Sequence, residues 1–156
     1  MSILSWGKCK IETTPSINGA PADDAEWKPI DTPKEDTTKI TPTAGIEKTA
    51  TEEGGELVDV RYSKNTYTLE FDLFVKKGKE RPFEDNDGLI AGEHAFRITP
   101  EDEEGEGSLI DRSAVRCDES YSTAEGKMLH YVAKCLKPKT GKTVKPYTKT
   151  AVAKAE

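Results

Sequence analysis

Glu84-Asp85-Asn86-Asp87-Gly88 sets acidic side chains ahead of a glycine, the pattern with which a loop wraps oxygen ligands around a hard cation such as calcium. In that pattern the first and last ligands would be Phe83 and His94, where carboxylates are needed, so the segment reads as a solvated acidic turn. Thr140-Gly141-Lys142-Thr143 matches the end of a phosphate-binding loop, but the required earlier glycine would fall at Leu136 and no strand-to-helix unit surrounds it. His94 and His130 have no nucleophile or carboxylate at a diagnostic spacing. Cys9, Cys117 and Cys135 are odd in number and lack C-x-x-C spacing, which argues for reduced apolar residues over a disulfide framework or a thiolate metal site. Trp6 and Trp27 are candidate stacking platforms, although a chain this poor in large apolar groups more often uses tryptophan in its core. The expectation is a non-enzyme without catalytic residues, cofactor or metal.

The elements that would carry these residues read as strands. Tyr67 to Val75 places apolar groups at the odd positions, with Thr68, Glu70 and Asp72 between them, the period of a half-buried β-strand. Looser alternation predicts a first strand over 3–11, a short extended piece at Trp27 to Ile30, and a strand through His94, Phe96 and Ile98. Glu56 to Tyr62 is expected to pair with the Tyr67 strand, and Leu109 to Tyr121 with Lys127 to Leu136, as two antiparallel hairpins. Both faces of Lys127 to Leu136 carry apolar groups, so that hairpin is expected to be covered on both sides. Asn18-Gly19 carries hairpin-turn chemistry, and a single helical turn is the most that Asp87 to Ala91 allows. The fold class is therefore mainly β: an antiparallel β-sandwich or barrel with at most one short helix and a long extended hairpin or loop.

That extended piece is expected at about 34–55. Thr37 to Thr41 and Ile46 to Thr51 are two β-prone stretches around Pro42 to Gly45, rich in threonine and charge, and they have almost nothing to bury. A two-stranded ribbon alone in water is marginal, so such an arm either lies on its own domain or is ordered by another subunit. Residues 1–145 are expected to form one domain including the arm, and 146–156 a flexible Lys/Thr-rich tail.

Of the 156 residues 34% are hydrophobic and 33% charged, which limits the chain to a thin core in one domain. The net charge of -6 argues against tight, broad nucleic-acid binding. No segment approaches membrane-spanning length, and the N-terminus lacks a basic region followed by a long apolar run, so folding in a cytoplasm and no membrane contact are expected.

Trp6-Gly7-Lys8 with Ile11-Glu12, then Trp27-Lys28-Pro29-Ile30-Asp31-Thr32-Pro33-Lys34-Glu35-Asp36-Thr37-Thr38, resemble in order and texture the phage major tail tube proteins carried by prophages. The resemblance continues through Glu52-Glu53-Gly54-Gly55-Glu56, Asp87-Gly88 and Phe96-Arg97-Ile98-Thr99-Pro100, up to about Lys145. It implies a virion structural protein similar to the tube subunits of contractile injection systems and type VI secretion. Such subunits self-assemble into hexameric rings that stack into a hollow tube conducting DNA or effectors. It further implies assembly in a host bacterial cytoplasm before incorporation in the tail, with tail or baseplate initiators as partners and DNA passing without specific binding. Under it, Thr37, Thr38, Ile40, Thr41, Ile46, Lys48 and Thr49 belong to the inter-subunit arm. Glu70 and Asp72, with Glu56 and Asp59 behind them, are candidate lumen carboxylates that would repel passing phosphates. The alternative is a monomeric β-sandwich ligand-binding module using Trp27 and the acidic loops at Glu84 to Asp87 and Glu101 to Glu106.

Overall fold

The computed structural model describes residues 3–149. Apolar alternation has its expected effect on β7 (Thr66–Phe74) and β11 (Gly126–Cys135): Leu69, Phe71 and Leu73 of the first and Leu129, Tyr131, Ala133 and Cys135 of the second are buried on one face of the sheet. The two strands pair antiparallel with Phe71 opposite Tyr131, and those rings stack at a centroid distance of 5.3 Å. β11 pairs in turn with the long β10 (Gly107–Ser122), which buries Ile110, Val115 and Cys117; β10 pairs with β9 (Leu89–Thr99), which contributes Phe96. β1 (Lys10–Ile17) follows β9 and adds Ile11, while β2 (Ala20–Pro21) and β3 (Lys28–Pro29) pair with β1. β4 (Lys39–Thr43) lies at the far edge on β7, and β8 (Asp85–Asn86) and β12 (Val144–Tyr147) pair with β9 and β10.

The result is a mainly β fold, a curled antiparallel sheet in the order β2-β1-β9-β10-β11-β7-β4 that forms a half-barrel, as the alternation implied. Phe83 and Ile30 add to the core from loops; the Phe83 ring meets Tyr131 and Phe96 edge-on at 5.8 and 5.9 Å. Edge-to-face rings contribute about 1 kcal/mol each beyond the area they bury.

Several local readings change. The first strand begins at Lys10, because pairing with β9 starts at Lys10 opposite Thr99; Ile3, Leu4 and Trp6 are exposed instead of alternating into a core. Pro15 lies within that strand, beyond the stretch where β3 pairs with Glu12 and Thr13, so its missing N–H interrupts no second ladder. Asn18-Gly19 is the expected tight turn, with φ of 55° and 87°. Asp87-Gly88 is a second turn of that kind, φ 50° and 90°, which closes the β8–β9 hairpin where a helical turn was expected. Two successive residues at positive φ match the twist of flanking strands and cannot start a helix. On the second face of β11 only Met128 is buried, whereas His130 and Val132 are half-exposed, so that side is not covered throughout. The loose terminus expected after Pro138 and over 146–156 is corrected as far as it is described: Val144–Tyr147 pairs with β10 and Tyr147 is buried. Residues 150–156 of that tail lie outside the described residues.

Candidate functional site

The strands β5 (Glu47–Thr51) and β6 (Leu57–Tyr62) pair with each other and with no strand of the half-barrel. This corrects two expectations, since Thr37 to Thr41 does not fold back on Ile46 to Thr51, and Glu56 to Tyr62 does not pair with the Tyr67 strand. Instead β4 pairs with β7 and β5 with β6 in one shared register: Thr43 faces Thr66, and four residues farther along Glu47 faces Tyr62. The pieces are one long hairpin interrupted at 44–46 and 63–65. Ser63 N donates to Ile46 O at 2.9 Å across the interruption, and Gly45 N to Asn65 Oδ1 at 3.3 Å. Gly45 is required there, because a Cβ would stand 2.2 Å from the Ser63 carbonyl oxygen.

The proximal half of this ribbon belongs to the body. Ile40 packs against the core, Thr37 Oγ1 accepts from Asp72 N at 3.2 Å, and Lys34 N donates to Asp72 O at 2.8 Å. The Thr38 hydroxyl hydrogen-bonds the Cys9 side chain, whose thiol is nonetheless pushed up by burial. Thr41 faces Thr68 on β7. Beyond Gly45 the environment changes: every residue of β5 is exposed, and of β6 only Val60 is half-buried. Thus Ile46, Lys48 and Thr49 lie on the projecting part, while Thr37, Thr38, Ile40 and Thr41 lie at its root.

Cross-strand neighbours share a face. One face of the projecting ribbon carries Glu47 with Tyr62 and Thr49 with Val60; the other carries Lys48 with Arg61 and Ala50 with Asp59, and Val58 lies at a bulge beyond them. Val58 and Tyr62 are 58% and 73% exposed and Ile46 67%, a concentration of apolar surface that an isolated ribbon gains nothing by displaying. Both outer edges of β5–β6 also present backbone donors and acceptors without a neighbouring strand, the arrangement that β-augmentation completes. Sequence reasoning missed β6 as part of this surface. The signal was the Glu-Glu-Gly-Gly turn at 52–55, which separates two β-prone stretches.

The four candidate lumen carboxylates do not share one surface. Glu70 and Asp72 lie on the face of β7 turned away from the core and straddle His130: Asp72 Oδ1 hydrogen-bonds Nδ1, and Glu70 Oε1 is 3.9 Å from Nε2, while Glu70 Oε2 is 3.3 Å from Lys39 Nζ. Glu56 is at the ribbon tip, and Asp59 Oδ1 on the ribbon accepts from Val60 N at 2.9 Å.

Asp85 Oδ2 accepts from Gly88 N at 3.1 Å and its carboxylate faces Arg81, so this acidic turn is organised by its own hydrogen bonds. Among the described residues no group of three His, Cys, Asp or Glu could hold a metal ion. Trp27 is covered by the Arg97 guanidinium at 4.5 Å, itself bound to both oxygens of Glu12 at 3.0 Å. Trp6 borders an open cleft of about 650 Å³ between the N-terminal segment, 32–40 and 106–108. His94 packs on Phe83 at 4.7 Å with Nε2 3.1 Å from Ala91 O. Lys127 and Arg81, both bonded to Glu119, hold its carboxyl below the usual range. Neither a protein-family model nor a curated protein matches the chain.

Proposed function

We propose that the chain is a non-enzymatic structural subunit that self-assembles through its projecting ribbon, building rings that stack into a hollow tube. The observation that carries this reading is the β5–β6 ribbon, whose exposed apolar side chains and two strand edges are left uncovered by the described residues of the subunit. A second subunit can supply both kinds of partner at once, which a small ligand cannot do along a whole ribbon. With the resemblance to tail tube proteins, the tube is a conduit for DNA in a phage tail or for effectors in an injection system, assembled in the host bacterial cytoplasm on tail or baseplate initiators. Glu70 and Asp72 remain the lumen candidates in this scheme; Glu56 and Asp59 move to the arm.

The test is negative-stain electron microscopy with light scattering on the purified chain over a rising concentration series. Rings or hollow tubes are expected. A monomer at every concentration, with or without added crowding agent, would overturn self-assembly.

A further inference from the structure

At the root of the ribbon an open groove of about 850 Å³ runs between 64–67 and 137–144. Lys64, Lys137, Lys139 and Lys142 line it, and no lining residue is a carboxylate. In a chain of net charge -6 this is a local reversal of sign. All four lysines are exposed, and among the described residues none forms an ion pair, so the positive charge of the groove is not offset by a neighbouring carboxylate. The opposite pole of the same ribbon carries Glu52, Glu53 and Glu56 around Gly54-Gly55, and these three carboxylates also form no ion pair among the described residues. Both glycines hold positive φ, and a Cβ added to either would meet nothing within 4 Å, so the tip stands clear of its own subunit.

We propose that the lysine groove receives the acidic ribbon tip of a second copy of this chain. The contact cannot close within one subunit, because the six residue steps from the pair Gly45/Lys64 to Thr51 separate root from tip by about 20 Å along a strand. Two unlike surfaces on one molecule, each complementary to the other, make a heterologous contact, which generates a ring or a filament according to the rotation it imposes. Three carboxylates meeting four ammonium groups form a network, the case in which exposed charges act together. This inference rests on the self-assembly reading and specifies the contact that drives it.

The experiment is charge exchange. E52K/E53K/E56K on one chain and K137E/K139E/K142E on another alter exposed positions alone, and circular dichroism should show both folded. Each variant by itself should need about tenfold more protein to assemble than the wild type, as the loss of several screened pairs together would give. An equimolar mixture should recover to within about threefold of wild type, because the lysine tip of one fits the glutamate groove of the other and the reverse. The neutral E52Q/E53Q/E56Q should fall between wild type and reversal. Wild-type assembly left unchanged by both reversals, or a mixture that fails to recover, would overturn the groove contact while leaving self-assembly intact; no assembly by any chain would overturn both. A labelled single-stranded oligonucleotide that binds the wild type but not K137E/K139E/K142E, with self-assembly unaffected, would assign the groove to a phosphate polymer instead.

Discussion

Removing Gly45 to Lys64 and joining Ala44 to Asn65 with A44N and N65G should abolish assembly while leaving the half-barrel almost as stable as before. The shared register permits this excision: Thr43 still faces Thr66, and two residues remain between them, the length and chemistry of a tight hairpin turn. Of the removed segment only Gly45 and Val60 are even half-buried, so no core area is lost. The ribbon's ladder hydrogen bonds and its ordering entropy nearly cancel, as they do in any isolated two-stranded hairpin. The net change should be under about 1 kcal/mol, a Tm shift within about 4 °C for a chain of this size. Deletion of Ile40 to Thr49 would not be equivalent, because Ile40 packs on the core and β4 protects the β7 edge. Urea melts measure the monomer, and microscopy with light scattering measures assembly. A Tm loss above about 10 °C would show that the ribbon braces the body, and undiminished assembly would show that it is not the contact.

Three further outcomes follow from the core. Lys145→Met leaves the Asp111 carboxylate, 4% exposed, without its ammonium partner and should cost about 3 kcal/mol, lowering Tm by roughly 6–12 °C in a thermal melt. Tyr131→Phe removes a buried hydroxyl that has no hydrogen-bond partner by distance and angle and lies against the Cys117 thiol; stability should stay level or rise by up to about 1 kcal/mol, and a loss greater than that would mean the thiol is a true partner. Burial pushes the Cys117 and Cys135 thiols up from 9.0 to about 11, with the Asp85 charge adding to the effect at Cys117. A folded pKa above the unfolded one gives stability that is complete below about pH 9 and lost as pH rises to about 11, roughly 3 kcal/mol per thiol. Melts between pH 8 and 11 should fall steeply, C117A/C135A should flatten that fall, and neither thiol should react with an alkylating reagent at pH 8 before unfolding.

The strands with one buried face were legible in the sequence. Alternation at Leu69, Phe71 and Leu73 and at Leu129, Tyr131 and Ala133 is a local consequence of the pleat, visible without knowledge of any partner strand. Pairing was less so. Val58, Val60 and Tyr62 alternate as well as any core strand, yet their alternation reports a side of the ribbon that the subunit itself leaves uncovered. Their assignment to the Tyr67 strand assumed that each alternating strand faces the local core. Register across the interruption at Gly45 is likewise a long-range property, since β4–β7 and β5–β6 keep one offset on its two sides. The lysine run from Lys134 to Lys149 was legible as a charged stretch that could meet phosphate, an acidic partner or water, but Lys64 is far away in the chain and joins it in one groove only when β7 and β11 pair. The acidic tip, contiguous in sequence, was visible as composition but not as a pole opposite that groove.

The register that β4–β7 and β5–β6 share across Gly45 makes the hairpin a ruler. Adding two residues to each strand between Glu47 and Thr51 and between Val58 and Tyr62 would move the tip outward by about 7 Å and return every side chain to its original face, whereas adding one to each would invert the distal faces. Reach can therefore be altered in discrete steps without altering the half-barrel or the chemistry at either end of the ribbon. Any structure whose repeat distance is measured by this ribbon would inherit those steps, and chains with the same body could differ in spacing alone.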